Sequence, residues 1–150
     1  MLRAPITHPD VLHALARAGH GSLVLVADAH FAASTAVSQK AVVVHMALAP
    51  GAPLVPDVAA LISATIQLEA VTTMTAPDEE LGRVARQAAA AAGSPVHDSV
   101  SREEFKALTR SDDMALCIVT GDTRRFANAL LRVGVTTPTH PPHGSGMIDT

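Results

Sequence analysis

Tryptophan and tyrosine are absent from this chain of 150 residues, and phenylalanine occurs only three times. Its core must therefore be aliphatic, filled by Val, Leu, Ile, Met and many Ala. A single cysteine, Cys117, excludes an intrachain disulfide. Set inside the run Met114-Ala115-Leu116-Cys117-Ile118-Val119, it reads as a small buried hydrophobe rather than a nucleophile. No apolar run approaches the roughly 20 residues needed to cross a bilayer. The segment Met1-Leu2-Arg3-Ala4-Pro5 lacks the apolar region of a secretory signal. Eleven Lys and Arg are spread along a chain of net charge −3, which leaves no basic footprint for nucleic acid. There is no Walker loop, no Gly-x-Gly-x-x-Gly and no Gly-x-Ser-x-Gly. His20, His30 and His45 with Asp28 could be imagined as metal ligands, but no His-x-x-x-His or Cys pairing supports them, so no metal is expected. Together these absences point to a cytoplasmic single-domain protein with neither a membrane nor a nucleic-acid partner.

The residues present alternate between two patterns. Thr7-His8-Pro9-Asp10 is a capping-box-like helix start with Pro in the first turn. Val11, Leu12, Leu15 and Ala16 then form one face, and Gly19 is the expected stop. The run Ser22 to Ala27 is continuously apolar, as in a parallel strand covered on both faces, and ends at Asp28. Ala41 to His45 suggests a second strand and Ala49 to Pro53 a loop. Pro56 opens a helix with Val58, Leu61, Ile62 and Thr65 on one side. Ile66 to Met74 alternates and is β-branched, which predicts a strand. Thr75-Ala76-Pro77-Asp78 starts a third helix with the stripe Leu81, Val84, Ala85, Ala88 and Ala92, ended by Gly93 and Pro95. Asp78, Glu79 and Glu80 sit in its first turn, where they favour the helix dipole.

A short strand around Val96 precedes a capping box at Ser101-Arg102-Glu103-Glu104 and a helix through Leu108. Met114 to Thr120 reads as a buried strand, Gly121 to Arg125 as a turn, and Phe126 to Val135 as mostly strand. This alternation predicts one layered α/β/α domain over residues 1–137 with a mostly parallel, mixed sheet. Residues 138–150, rich in Pro and Gly and carrying His140 and His143, read as a flexible tail.

Four positions can carry chemistry. His20 stands between Gly19 and Gly21, on a tight loop just past a helix end. The carbonyls and negative dipole end there favour a protonated imidazole, the state a general acid needs; the other reading is an ordinary exposed loop histidine. Asp28, with His30 as a further candidate, follows the first buried strand, at the edge of an α/β sheet where ligands bind. Asp28 equally suits capping the next turn through its own backbone. Arg102 gains nothing from a helix start, so its donors are free for hydroxyls or carboxylates, or for solvent. Asn128 interrupts an apolar stretch and must find partners for both ends of its amide, in the backbone or in a ligand.

Gly19-His20-Gly21, Asp28-Ala29-His30-Phe31, Arg102 ahead of Phe105, and Thr120-Gly121-Asp122 followed by Asn128 and Gly134-Val135 resemble the ribose pyranase / fucose mutarotase (RbsD/FucU) family, from about Leu12 to Val135. Asp28-Ala29-His30-Phe31 and Arg102 look like the fucose mutarotase branch, to which the chain is closer. His45 to Pro53 and Gln67-Leu68-Glu69-Ala70 look more like the ribose side. The resemblance implies an RbsD-like fold and a cofactor-free isomerase that interconverts anomers or ring forms of a simple sugar such as L-fucose or D-ribose by acid–base ring opening. It implies a ring-shaped homo-oligomer, typically a decamer, with sites near subunit contacts. His20 matches the family's proton donor; Asp28, Arg102 and Phe126-Ala127-Asn128 match its sugar-binding positions. The chain departs at Phe126, where relatives of both kinds usually carry Tyr, and at His45, where an acid is expected in ribose-type relatives. A sugar-binding or scaffold protein without catalysis is the competing expectation.

Overall fold

The computed structural model describes residues 1–94 and 96–137. The predicted tail at 138–150, with His140 and His143, and the helix-ending Pro95 lie outside the described residues. Six strands form one mixed sheet in the order β2-β5-β1-β6-β3-β4. They are β1 (Leu23–Ala27), β2 (Val42–His45), β3 (Leu68–Met74), β4 (His97–Val100), β5 (Met114–Val119) and β6 (Ala129–Val133). The pairs β1–β5, β2–β5 and β3–β4 are parallel, and only β6 runs against its two neighbours. The helices are α1 (Pro9–Arg17), α2 (Ala33–Ala36), α3 (Val55–Ser63), α4 (Glu79–Ala91) and α5 (Arg102–Thr109).

Period-two side-chain alternation along the central strands builds two cores. Val24 and Val26 point to one face, with Leu116, Ile118 and Leu131, against Val11 and Leu15 of α1, Val58 and Ile62 of α3 and Ala88 of α4. Leu23, Leu25 and Ala27 point to the other, with Cys117 and Leu130, against Ala33 of α2 and Phe105 of α5. The predicted three-layer α/β/α arrangement is the one observed. Among the described residues no helix is long and apolar enough to cross a membrane.

Local signals set most boundaries. The capping box at Ser101 and Glu104 forms in full. Asp78 caps α4 by accepting from the Leu81 N–H, and the α1 cap is His8, whose Nδ1 accepts from the Val11 N–H. Two expectations need correction, and one element went unread. The last strand begins at Ala129, because Phe126 adopts φ 64° and the chain turns there. The buried stripe of α3 is Val55, Pro56, Val58, Ala59 and Ile62; Leu61 faces outward and Thr65 lies past the helix end. The four-residue α2 was not expected, being too short to show a helical period.

Candidate active site

The carboxyl ends of the parallel strands and the start of β6 meet along one edge of the sheet. A cavity of about 210 Å³ opens there, lined by Asp28, His30, Phe31, Met74, Arg102, Lys106, Arg125, Phe126 and Asn128, with Ala32 at its border. Asp28 comes from the end of β1, Arg102 and Lys106 from the first two turns of α5, and Phe126 and Asn128 from the approach to β6. This is the position at which α/β sheets present ligand-binding groups.

Asp28 and Asn128 are both buried, 4% and 3% exposed. The Asn128 Nδ2 donates to Asp28 Oδ2 at 2.9 Å, and the Asp28 backbone N–H donates to Asn128 Oδ1 at 2.8 Å. Asp28 Oδ1 accepts from the His30 N–H at 2.9 Å. Asp28 therefore does cap the following turn, and it lines the cavity as well. Burial raises its carboxyl above the ordinary carboxylate value, against the opposing effect of the His30 and Asn128 bonds. A carboxylate has about four acceptor positions, so two protein bonds leave room for ligand hydroxyls.

The loop 120–123 supports this arrangement from beneath. Thr120 donates through N–H and Oγ1 to the Ala27 carbonyl, the Ala29 N–H donates to the Asp122 carbonyl, and the His30 Nε2 meets the Thr123 carbonyl at 2.9 Å. Asp122 itself is fully buried. It accepts from Arg124 Nε and Nη2 and from the Val55 N–H at the start of α3. Burial acts to raise its carboxyl, but these bonds outweigh it and hold the group below the ordinary value. Gly121 is obligatory, since a Cβ there would run into the backbone carbonyls of Ala49 and Ala52.

Phe126 sits half-buried in the cavity wall with φ 64°, a conformation that a bulky side chain adopts rarely and at a cost. The Arg125 guanidinium lies 6.0 Å from its ring centroid, and Phe31 packs edge-on against Phe105 with centroids 6.2 Å apart. Ala127 is wholly buried in the core, and its side chain does not reach the cavity.

His20 is elsewhere. It lies on the turn before β1, beside Gln67, Val133 and Gly134, and its Nε2 is 2.9 Å from Glu69 Oε2. Asp28 is at the other end of β1. The five residues of that strand, at about 3.3 Å each, put roughly 17 Å of sheet between them. Within one chain the structure thus brings together Asp28, His30, Arg102, Phe126 and Asn128, and does not bring His20 to them. Among the described residues no three His, Cys, Asp or Glu side chains converge as metal ligands.

Sequence reasoning missed Met74, Lys106 and Arg125 in the cavity, and Glu69 against His20. Lys106 was within reach of it: four residues after Arg102, it shares that face of α5. Glu69 and Met74 had no local signal, because only the place of β3 between β6 and β4 in the sheet positions them.

A model described as the RbsD / FucU transport protein family matches residues 1–136, and the chain belongs to this family. A D-ribose pyranase of Paracidovorax citrulli is 32% identical over 136 residues, spanning 91% of this chain and 99% of the relative. The structure of Bacillus subtilis RbsD complexed with D-ribose superimposes with a TM-score of 0.79 at 26% identity, over 91% of this chain and all of that one (100%). The fucose mutarotase from Streptococcus pneumoniae, solved with L-fucose, has the same fold, with a TM-score of 0.73 at 21% identity over 91% of this chain and 100% of that one.

Proposed function

We propose that this protein is a cofactor-independent monosaccharide mutarotase or pyranase, working in the cytoplasm on a simple sugar in the manner of the ribose- and fucose-converting relatives. The observation that carries the reading is the buried Asp28–Asn128 pair, set at the sheet edge beside an aromatic wall and Arg102. Asp28 and Asn128 grip hydroxyls, Arg102 orients the sugar, and the Phe126 ring packs on its C–H face.

Opening a cyclic hemiacetal requires a proton delivered to the ring oxygen and one removed from the anomeric hydroxyl. The bond from the anomeric carbon to the ring oxygen breaks, the carbonyl rotates, and the reverse transfers reclose the ring. Asp28 takes the anomeric proton, its buried carboxyl being a better base than a solvated one. His20 delivers the other. Because a sheet separates His20 from the cavity of its own chain, the donor must come from a neighbouring copy in a ring-shaped homo-oligomer, a decamer by analogy with the family. Glu69 fixes the ring of that His20.

Saturation-transfer NMR of anomer exchange on several monosaccharides tests this. His20→Ala should slow exchange by at least roughly tenfold while leaving sugar binding largely intact. Mixing His20→Ala with Asp28→Asn subunits in equal amounts should restore roughly a quarter of the sites, those with both groups wild-type. Unchanged exchange in His20→Ala would remove His20 as the acid, and binding without exchange in the wild type would favour a purely sugar-binding role.

A further inference from the structure

Three cationic side chains line the cavity. Arg102 and Lys106 project from adjacent turns of α5 and Arg125 from the loop before β6. Among the described residues none of the three pairs with a carboxylate, whereas Lys40, Arg86 and Arg124 pair with Asp112, Glu79 and Asp122. Among the described residues one carboxylate faces them, Asp28, and it offsets at most one of the three charges. The cavity is therefore a locally positive site on a chain whose net charge is −3.

A neutral sugar gives no reason for this arrangement. One guanidinium suffices to orient hydroxyls, and with Asp28 offsetting one charge the cations still outnumber the anions around one small cavity and repel each other unless a further anion joins them. Glu69 of a neighbouring copy, arriving with His20, would offset only one of the three. Two guanidinium forks and an ammonium suit a carboxylate or a phosphate, which accept several charge-assisted bonds at once. On the reading that this cavity holds a sugar, we infer that the sugar carries an acidic group, a carboxylate or a phosphate ester, bound by Arg102, Lys106 and Arg125. The acidic group lies toward α5 and Arg125, and the ring oxygens lie toward Asp28 and Asn128. A cleft of net positive charge also concentrates anionic ligands.

The test compares sugars matched except for charge: D-glucuronate with D-glucose, D-galacturonate with D-galactose, and D-ribose 5-phosphate with D-ribose. Binding is measured by calorimetry, and anomer exchange separately by NMR. For at least one pair the acidic member should bind about tenfold tighter or more, with an advantage that shrinks as salt rises. The uronate and phosphate arms decide which acid the site takes. In Lys106→Met/Arg125→Met the acidic-to-neutral ratio should fall at least roughly fivefold, a comparison internal to each protein and so insensitive to its folded fraction. Neutral sugars binding and exchanging as well as their acidic partners would overturn the inference and leave the mutarotase reading standing. Acidic sugars bound tightly without exchange would do the reverse. No binding of any of the six sugars would overturn both.

Discussion

Asp28 and Asn128, one hundred residues apart in the chain, are joined by two hydrogen bonds. The Asp28 N–H donates to Asn128 Oδ1 at 2.8 Å, and Asn128 Nδ2 donates to Asp28 Oδ2 at 2.9 Å. The pair ties the end of β1 to the entry of β6 and holds a buried carboxylate toward the cavity. Each polar atom of the Asn128 amide makes one bond to Asp28, so both residues keep further positions for a ligand, one N–H donor on Asn128 and acceptor sites on Asp28.

Asn128→Ala leaves the buried Asp28 N–H without a partner and removes a bond that favours the ionised carboxylate. It should cost about 1–3 kcal/mol at neutral pH. The sign with pH follows from linkage. Asp28 is already raised above its reference value of 3.8 by burial, and the substitution raises it further. A group raised in the fold contributes stability that is complete below the unfolded value and is lost as pH rises through the folded one. The deficit of the variant should therefore be larger near about pH 7 than near about pH 4.5 in urea unfolding. An equal or smaller deficit at the higher pH would contradict this account of Asp28.

Asp122 behaves in the opposite sense. Its carboxyl is held below the ordinary value by Arg124 and by the Val55 N–H, which together outweigh burial. Its contribution is present above the unfolded value of 3.8 and is lost as pH falls through the folded one. Asp122→Asn should cost about 2 kcal/mol at neutral pH, discounted for the solvent that reaches Arg124. The variant should also show a shallower loss of stability on acidification than the wild type. Parallel acid-unfolding curves for the two proteins would argue against the assignment.

The layered fold was legible because its signals are local. Apolar runs of five or six residues, Pro and capping boxes at helix starts, and Gly at turns marked nearly every element. Asp28 was legible for the same reason, as the first polar residue after a buried strand. What escaped reading is non-local. Asn128 looked like part of a strand, yet Phe126 with φ 64° ends that pattern and turns the amide toward Asp28. Arg125 lies in a turn, where any solvated residue would serve, and only the packing of α5 against the same edge makes it part of a cationic cluster.

Cys117 is wholly buried in β5, and burial pushes its thiol up to about 12. The thiolate, which is the reactive form, is then both scarce and shielded. The native protein should resist a thiol-specific reagent over hours and react within minutes once unfolded in urea. Rapid stoichiometric labelling of the native protein, followed by mass spectrometry, would show that β5 opens readily and that this inner strand is not the rigid base of the site.

Phe126 offers a gain-of-function test. Its ring already borders the cavity, and its backbone already holds the strained conformation that presents it. Phe126→Tyr adds a hydroxyl without altering that backbone requirement, because both rings meet the same steric cost at positive φ. Arg125, 6.0 Å from the ring centroid, should accommodate the new oxygen from above. If a phenolic donor and acceptor is what the site lacks for neutral sugars, the variant should speed anomer exchange or tighten binding for at least one of D-ribose and L-fucose by several-fold, the effect of one added neutral hydrogen bond of about 1 kcal/mol. If the wall has instead adapted to an acidic sugar, the neutral sugars gain nothing, and the added hydroxyl weakens the charged ligand by competing for Arg125. NMR exchange rates and calorimetric affinities on both classes of sugar separate these outcomes.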